Sequence, residues 1–245
     1  MKRAPTAWFF TDFGTEGPYL ALMESALLAY CPGARVVNLM ADAPAFAPQP
    51  AARLFAALLP WLPEDALVVG VVDPGVGGRR RPLLLEVDGR RFIGPDNGLF
   101  AGPINGGREV RAWEIETAGF RLSASFHGRD LFAPAAGRLL AGEQLGVKET
   151  AVEGLEGHGW PAELAEVIYI DHYGNAMTGL DAPSEAAPHF RVGGHLVERA
   201  GTFSEVPEGT PFWYANSLGL VEIAVNRGRA DRLLGLEVGT PVIRA

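Results

Sequence analysis

The sequence contains a single cysteine, Cys31. One thiol can form neither an intramolecular disulfide nor a thiolate metal cluster, so Cys31 reads as a small apolar residue of the interior. Lysine is almost as scarce, with only Lys2 and Lys148 present. Lysine and arginine together number 21 against 29 acidic residues, a net charge of -8 at pH 7. Without a lysine-rich face to neutralise phosphates, a nonspecific role on nucleic acid is excluded and a small-molecule ligand is favoured. Long hydrophobic runs are missing too. The apolar stretch 7–10 is broken by Thr11 and Asp12, far short of a signal-peptide core or a membrane span, which points to a cytoplasmic protein without membrane contact.

What is present is globular. Hydrophobic residues make up 48% and charged residues 20% of 245 positions, enough chain for two domains that each bury a core. Residues 7–11, 34–39 and 66–72 read as strands, and 19–30, 50–59 and 131–140 as helices. Residues 83–87 and 91–93 form a strand pair around a turn at Asp88-Gly89. This alternation predicts an α/β domain over 1–157 with a mainly parallel sheet flanked by helices, its crevice beyond the carboxyl ends of the strands. Past Gly154 the texture changes, and Gly157-His158-Gly159-Trp160-Pro161 reads as a linker. Short strands at 167–170, 190–192, 195–197, 211–214 and 221–225 then predict a smaller β-barrel or sandwich over 158–245.

Polar groups gather where apolar strands end: Asp12, Asp73, Asp96 with Asn97, and Asp171. One strand-end aspartate is commonly a cap or turn former, whereas several together suggest a polar cleft. The loop after Asp73, Pro74-Gly75-Val76-Gly77-Gly78-Arg79-Arg80-Arg81, lacks the Lys-Ser/Thr of a phosphate loop and the third glycine of a dinucleotide fingerprint. Arg79 and Arg81 read as solvated turn residues. Asp12-Phe13-Gly14 matches a kinase triplet only by chance, since none of its companion motifs is present. A carboxylate in that place can instead chelate two ribose hydroxyls. His127 lies in a small-residue turn opening a helix, where rigid elements can orient a ring toward a cleft. Ile170-Asp171-His172-Tyr173-Gly174-Asn175 and Tyr214-Ala215-Asn216-Ser217 read equally as ligand-facing or as capped turns. His158, His189 and His195 lack ligand-like spacing and read as surface residues, while His172 shapes its turn.

Six blocks occur in order: Thr11-Asp12-Phe13-Gly14; Val71-Val72-Asp73-Pro74-Gly75-Val76-Gly77; Gly94-Pro95-Asp96-Asn97-Gly98-Leu99; Phe126-His127-Gly128-Arg129-Asp130; Ile170-Asp171 with Gly174-Asn175; and Asn216-Ser217 with Glu222-Ile223-Ala224. Together they resemble the S-adenosylmethionine hydrolases, hydroxide adenosyltransferases related to fluorinase and chlorinase enzymes. The resemblance implies a catalytic set of Asp73, Arg80 and His127, and attack of water or hydroxide on the ribose 5′ carbon without any cofactor or metal. It implies that Asp12 holds the ribose, that Asn175 and the backbone near Val225 meet adenine, and that Asp171, Tyr214 and Ser217 hold the methionine end. Phe13, Phe46 and Glu222 complete the implied substrate contacts. It further implies a homotrimer whose sites join the first domain of one subunit to the second domain of its neighbour. The segment 41–47 departs from the family pattern, although Phe46 remains able to pack on a ligand.

Three other readings stay open at this point. A halide adenosyltransferase would use the same fold, but the Asp-Arg-His combination sides with water. A nonenzymatic adenosine or S-adenosylmethionine sensor would keep the pocket alone. A metal-dependent hydrolase would recruit Asp12, Asp73, Asp96 and His127 as ligands, without a spacing that favours any one metal.

Overall fold

The computed structural model describes residues 4–183 and 189–245. Lys2, and with it half of the lysine content, lies outside them. The chain divides into two compact units, Met1–Trp160 and Pro161–Ala245.

The first unit contains β1 (Thr6–Thr11), α1 (Tyr19–Leu28), β2 (Arg35–Met40), α2 (Pro48–Leu58), β3 (Leu67–Val71), β4 (Pro82–Val87), β5 (Arg90–Pro95), α3 (Ala101–Gly106), β6 (Val110–Ile115), α4 (Ala133–Leu140) and β7 (Val147–Thr150). The seven strands form one sheet in the order β2-β1-β3-β5-β4-β6-β7. Strands β2, β1, β3 and β5 run parallel, and β4, β6 and β7 extend the sheet in antiparallel fashion. Side chains of the central strands alternate between two cores, as a period of two requires. Ala7, Phe9, Leu67, Val69 and Ile93 pack with Met23 and Leu27 of α1 and Ala135 and Ala136 of α4. Phe10, Val68, Val72 and Phe92 pack on the other face with Phe55 of α2 and Ile104 of α3. At Gly70 of β3 an added Cβ would stand 2.8 Å from the Phe100 ring, so this glycine admits the aromatic that seals the second core.

The turn between β4 and β5 has Asp88 and Gly89 at φ 48° and 88°, the left-handed pair that a tight hairpin needs. Strands β6 and β7 and helix α3 were not legible in sequence. Helix α3 contains Gly102, Pro103 and Gly106, poor helix formers, and exists because Gly102 lets it approach Ala56 of α2 closely. Strand β7 is the polar sheet edge and carries no apolar alternation.

The second unit contains β8 (Leu164–Ile170), β9 (Ala176–Asp181), β10 (Phe190–Val192), β11 (His195–Arg199), β12 (Pro211–Ala215), β13 (Leu220–Val225), α5 (Ala230–Leu234) and β14 (Val242–Arg244). Its sheet order is β14-β10-β11-β12-β13-β9-β8. The segment entering β14 bonds back to β8, through Val167 N–H to the Thr240 carbonyl at 2.9 Å and Gly239 N–H to the Val167 carbonyl at 2.8 Å, so the sheet nearly closes into a barrel. Trp213, Phe190, Val197 and Ile223 fill its interior. Strand β9 escaped the sequence reading because Gly179 interrupts it; that glycine accommodates the Leu164 backbone of β8.

Candidate active site

In the first unit the parallel strands deliver their ends to one pocket. Asp12 follows β1, and its Oδ2 accepts the Phe46 N–H at 3.2 Å. That bond holds the 41–47 loop, in which Phe46 adopts a left-handed φ of 59° and stays 79% exposed. The loop is also stitched to the end of β1 by Ala43 N–H to the Thr11 carbonyl at 3.0 Å and Gly14 N–H to the Ala41 carbonyl at 2.7 Å. Burial raises the Asp12 carboxyl above its ordinary value, the Phe46 and Asp12 backbone N–H groups oppose this, and the Asp73 charge adds to the rise.

Asp73 follows β3, whose end is fixed by Asn97: its Nδ2 donates to the Val72 carbonyl at 2.7 Å. Two successive turns, Val76 N–H to the Asp73 carbonyl and Gly78 N–H to the Gly75 carbonyl, fold the following loop back on itself. Gly77, at φ 76°, lies so close to the Ala124 carbonyl that a Cβ there would collide with it. This contact brings the Arg80 loop against the His127 loop. Arg80 then reaches Asp73 twice, Nε at 3.0 Å and a terminal nitrogen at 2.6 Å from Oδ2. The same terminal nitrogen meets Nδ1 of His127 at 2.8 Å. A guanidinium has no lone pair to offer, so Nδ1 must be the acceptor and the neutral ring carries its proton on Nε2. The Arg80 fork also stacks on the Phe132 ring, 5.5 Å from its centroid.

His127 is 9% exposed. Burial first and the Arg80 charge second push its pKa below 6.5, against Asp73, the Ser123 backbone and Asp130, which pull it up. The pocket beside it has a volume of about 370 Å³. Asp12, Asp73 and His127 line it, together with Phe13 and Phe46, as do Tyr19 and Phe126, which the sequence reading did not select. Phe13, Tyr19 and Phe126 pack edge-on or tilted with ring centroids 5.4 to 6.2 Å apart, forming one aromatic wall. Phe126 was findable as the neighbour of His127; Tyr19 gave no signal beyond opening α1.

Arg81 corrects the expectation of a solvated turn residue. It donates to Asp96 Oδ2 at 2.8 Å, to Thr150 Oγ1 at 3.0 Å and to the Gly154 carbonyl at 2.7 Å. Asp96 Oδ1 in turn accepts the Glu156 N–H at 2.9 Å. Both residues therefore tie the sheet to the 150–156 segment. Arg79 is exposed, as are His158, His189 and His195. Among the described residues, no group of three or more His, Cys, Asp or Glu side chains is placed to hold a metal ion.

The second unit has its own pocket of about 590 Å³, lined by Asp171, Asn175, Tyr214 and Val225. Asp171 organises its turn by accepting the Asn175 backbone N–H at 2.8 Å and the Asn175 Nδ2 at 2.9 Å. Glu222 lies beneath the wall, 2% exposed, where its oxygens accept the Tyr214 hydroxyl at 2.6 Å and Asn216 Nδ2 at 2.7 Å. Burial raises the Glu222 carboxyl, the bonds from Tyr214 and Asn216 oppose this, and the Asp171 charge adds to it. Burial and the bond to Glu222 push the Tyr214 phenol far up as well. Ser217 is exposed in the β12–β13 turn and does not line this pocket. Phe203, Tyr173, Arg227 and Arg229 do line it; of these only Tyr173 lies in a segment marked from sequence, and none was named as a contact.

Two family models match the chain: the SAM hydroxide adenosyltransferase N-terminal domain over residues 8–148 and the corresponding C-terminal domain over residues 165–243. The chain belongs to this family. An (R)-S-adenosyl-L-methionine hydrolase of Thermus thermophilus is 42% identical over 96% of this chain and 97% of its own length. A protein of the same description from Salinispora arenicola is 37% identical over 98% and 97%. Among solved structures, an uncharacterized conserved protein from Thermotoga maritima superposes with a TM-score of 0.83 at 25% identity, covering 97% of this chain and all (100%) of that one. A conserved hypothetical protein from Thermus thermophilus superposes with a TM-score of 0.80 at 39% identity, covering 98% of this chain and 100% of that one. In this hydroxide adenosyltransferase, no helix among the described residues is long and apolar enough to cross a membrane.

Proposed function

We propose that Asp73, Arg80 and His127 direct a water molecule onto the ribose 5′ carbon of S-adenosylmethionine. The activity is hydrolysis of S-adenosylmethionine to adenosine and methionine, as the matched family and its named relatives support. The observation that carries the residue assignment is that Asp73 and His127 line one pocket while Arg80, which does not line it, is held at once by Asp73 and by Nδ1 of His127. The oxygen of water bonds to C5′ while the C5′–S bond breaks and its electron pair stays on sulfur. Methionine leaves as a neutral thioether, so no group has to protonate it and no cofactor is required. The burden falls on the nucleophile, which gives up one proton to solvent as its oxygen bonds to C5′; the fixed Arg80 cation favours the hydroxide form of that water, and the neutral His127 ring and the pocket wall define its position. The carboxylates and aromatic rings of the wall also suit a cationic sulfonium.

Asp12 chelates the ribose hydroxyls, with Phe13 and Phe46 against the nucleoside. Asn175 and the Val225 backbone meet adenine, while Asp171, Tyr214 and Ser217 hold the methionine end with Glu222 behind Tyr214. The chain works in the cytoplasm as a homotrimer, each site combining groups of the first unit from one subunit with groups of the second unit from the next. The presence in each unit of a pocket lined by expected contact residues supports this reading.

Turnover in isotopically labelled water tests the chemistry: the label is expected in the 5′ hydroxyl of adenosine, with the same rate in chelator. A 5′-halogenated nucleoside in chloride or fluoride buffer, or activity lost to chelator, overturns it. Mixing His127→Ala subunits with Asn175→Ala subunits tests the assembly. Recovered activity after subunit exchange is expected, and an active monomer refutes it.

A further inference from the structure

His127 is presented by a segment without regular structure: residues 121–126 form neither strand nor helix. Such a segment holds a catalytic ring still only if other bonds brace its backbone. Three bonds do so. Asp130 Oδ2 accepts the Ser123 N–H at 2.7 Å, Ser123 Oγ accepts the Phe126 N–H at 3.2 Å, and the Asp130 N–H donates to the Phe126 carbonyl at 3.1 Å. His127 lies within the loop they close. Beyond it the chain winds through a wide π-helical turn, Gly128–Phe132, in which the Ala133 N–H reaches the Gly128 carbonyl before α4 begins. Single turns of this kind are frequent at functional sites because they re-aim side chains. Arg129 closes the arrangement from outside, donating a terminal nitrogen to Asp130 Oδ2 at 3.0 Å while its guanidinium lies 5.2 Å from the Phe126 ring centroid.

We propose that Asp130 is a positioning residue for hydrolysis: its bond to the Ser123 N–H locks the 123–130 loop and so aims the His127 ring at Arg80 and the pocket. Asp130 does not line that pocket and does not bond to His127. It acts through the backbone. The bond it protects is sensitive, because the 2.8 Å contact between Arg80 and Nδ1 is lost if the ring moves by about 1 Å. The carboxylate is well suited to a permanent acceptor role, since the bonds from Arg129 and Ser123 outweigh its burial and hold its pKa at about 2. The charged groups acting on His127 are Arg80, Asp73 and Asp130 itself.

The inference rests on the role given to His127 above, and the test separates the two. Asp130→Asn keeps an oxygen of the same reach for the Ser123 N–H but removes the charge. Asp130→Glu keeps the charge and moves the carboxylate out by one methylene. Asp130→Ala removes both. Each variant is measured for kcat and KM on S-adenosylmethionine, and the His127 ring is titrated by NMR, a readout that does not depend on turnover. Asp130→Asn is expected within about threefold of the parent kcat, whereas Asp130→Glu and Asp130→Ala fall by about 10- to 100-fold with KM little changed. In the latter two the His127 pKa should rise toward its ordinary value as the ring leaves Arg80. An active Asp130→Glu beside a crippled Asp130→Asn shows that the charge matters and not the brace, which overturns the proposal. A His127 titration unchanged in all three variants overturns it as well. Should Asp130→Ala fail to fold, the contrast between the other two variants still decides. Full activity of His127→Ala would instead remove the catalytic assignment and leave the NMR result standing.

Discussion

Arg80 donates to Nδ1 of His127 at 2.8 Å while it also donates to Asp73. One arginine therefore sets the tautomer of the histidine and, after burial, is the second cause that holds the ring neutral: a protonated ring would turn an N–H toward a cation.

Removing either partner should act on turnover. His127→Ala and Arg80→Ala are expected to lower kcat by about 10²- to 10⁴-fold while changing substrate binding by much less. Arg80→Lys keeps the charge but not the fork that spans Asp73 and His127, and should recover little. Calorimetric binding beside steady-state kinetics checks this.

The His127 pKa is lowered by burial and by Arg80, so the folded protein resists protonating it. Activity should hold as pH falls past the ordinary histidine value of 6.5 and decline only below it. Replacing Arg80 by Gln should move that acidic limb upward. The sign for stability follows: the unfolded chain takes up the proton first, so the contribution present above 6.5 is lost as pH falls from there through the folded pKa. A pH series of denaturant titrations, parent against His127→Gln, measures the difference.

If Asp12 holds the ribose as proposed, Asp12→Ala should weaken adenosine binding by about tenfold or more and spare kcat comparatively, because a ribose acceptor is lost and not a group on the water. It also frees the Phe46 N–H, so the 41–47 loop should become more open to hydrogen exchange.

Gly77→Ala places a Cβ against the Ala124 carbonyl and strains a left-handed backbone position. The cost is about 1 to 2 kcal/mol of stability. The larger effect is expected on kcat, since the two loops that bring Arg80 to His127 must separate. Thermal denaturation and kinetics of the one variant give both numbers.

Tyr214→Phe leaves a Glu222 oxygen buried without its donor. A stability loss of about 1 to 3 kcal/mol is expected near neutral pH. The loss should shrink in acid, because protonated Glu222 needs that donor less. Parent and variant unfolding curves at two pH values check it.

The sequence by itself determined the strand-and-helix alternation of the first unit, because apolar runs such as 66–72 can bury both faces only in a covered sheet. It also marked Asp12, Asp73 and Asp171, since charges directly after such runs stand at strand ends. Six ordered blocks carried the family resemblance. What it did not show were elements made by their neighbours: α3 with two glycines and a proline, the polar edge strand β7, and β9 around Gly179. Residue type alone did not separate Arg80 from Arg81; only the family resemblance singled out Arg80, and it left the partners of Arg81 unseen. The two arginines are adjacent, yet one turns to Asp73 and His127 and the other to Asp96, Thr150 and the Gly154 carbonyl. That choice depends on where a folded-back loop meets two distant segments, the contact at Gly77 and Ala124 above all. Residue type sets which chemistry is available; the tertiary structure decided which of the side chains is held where that chemistry can occur.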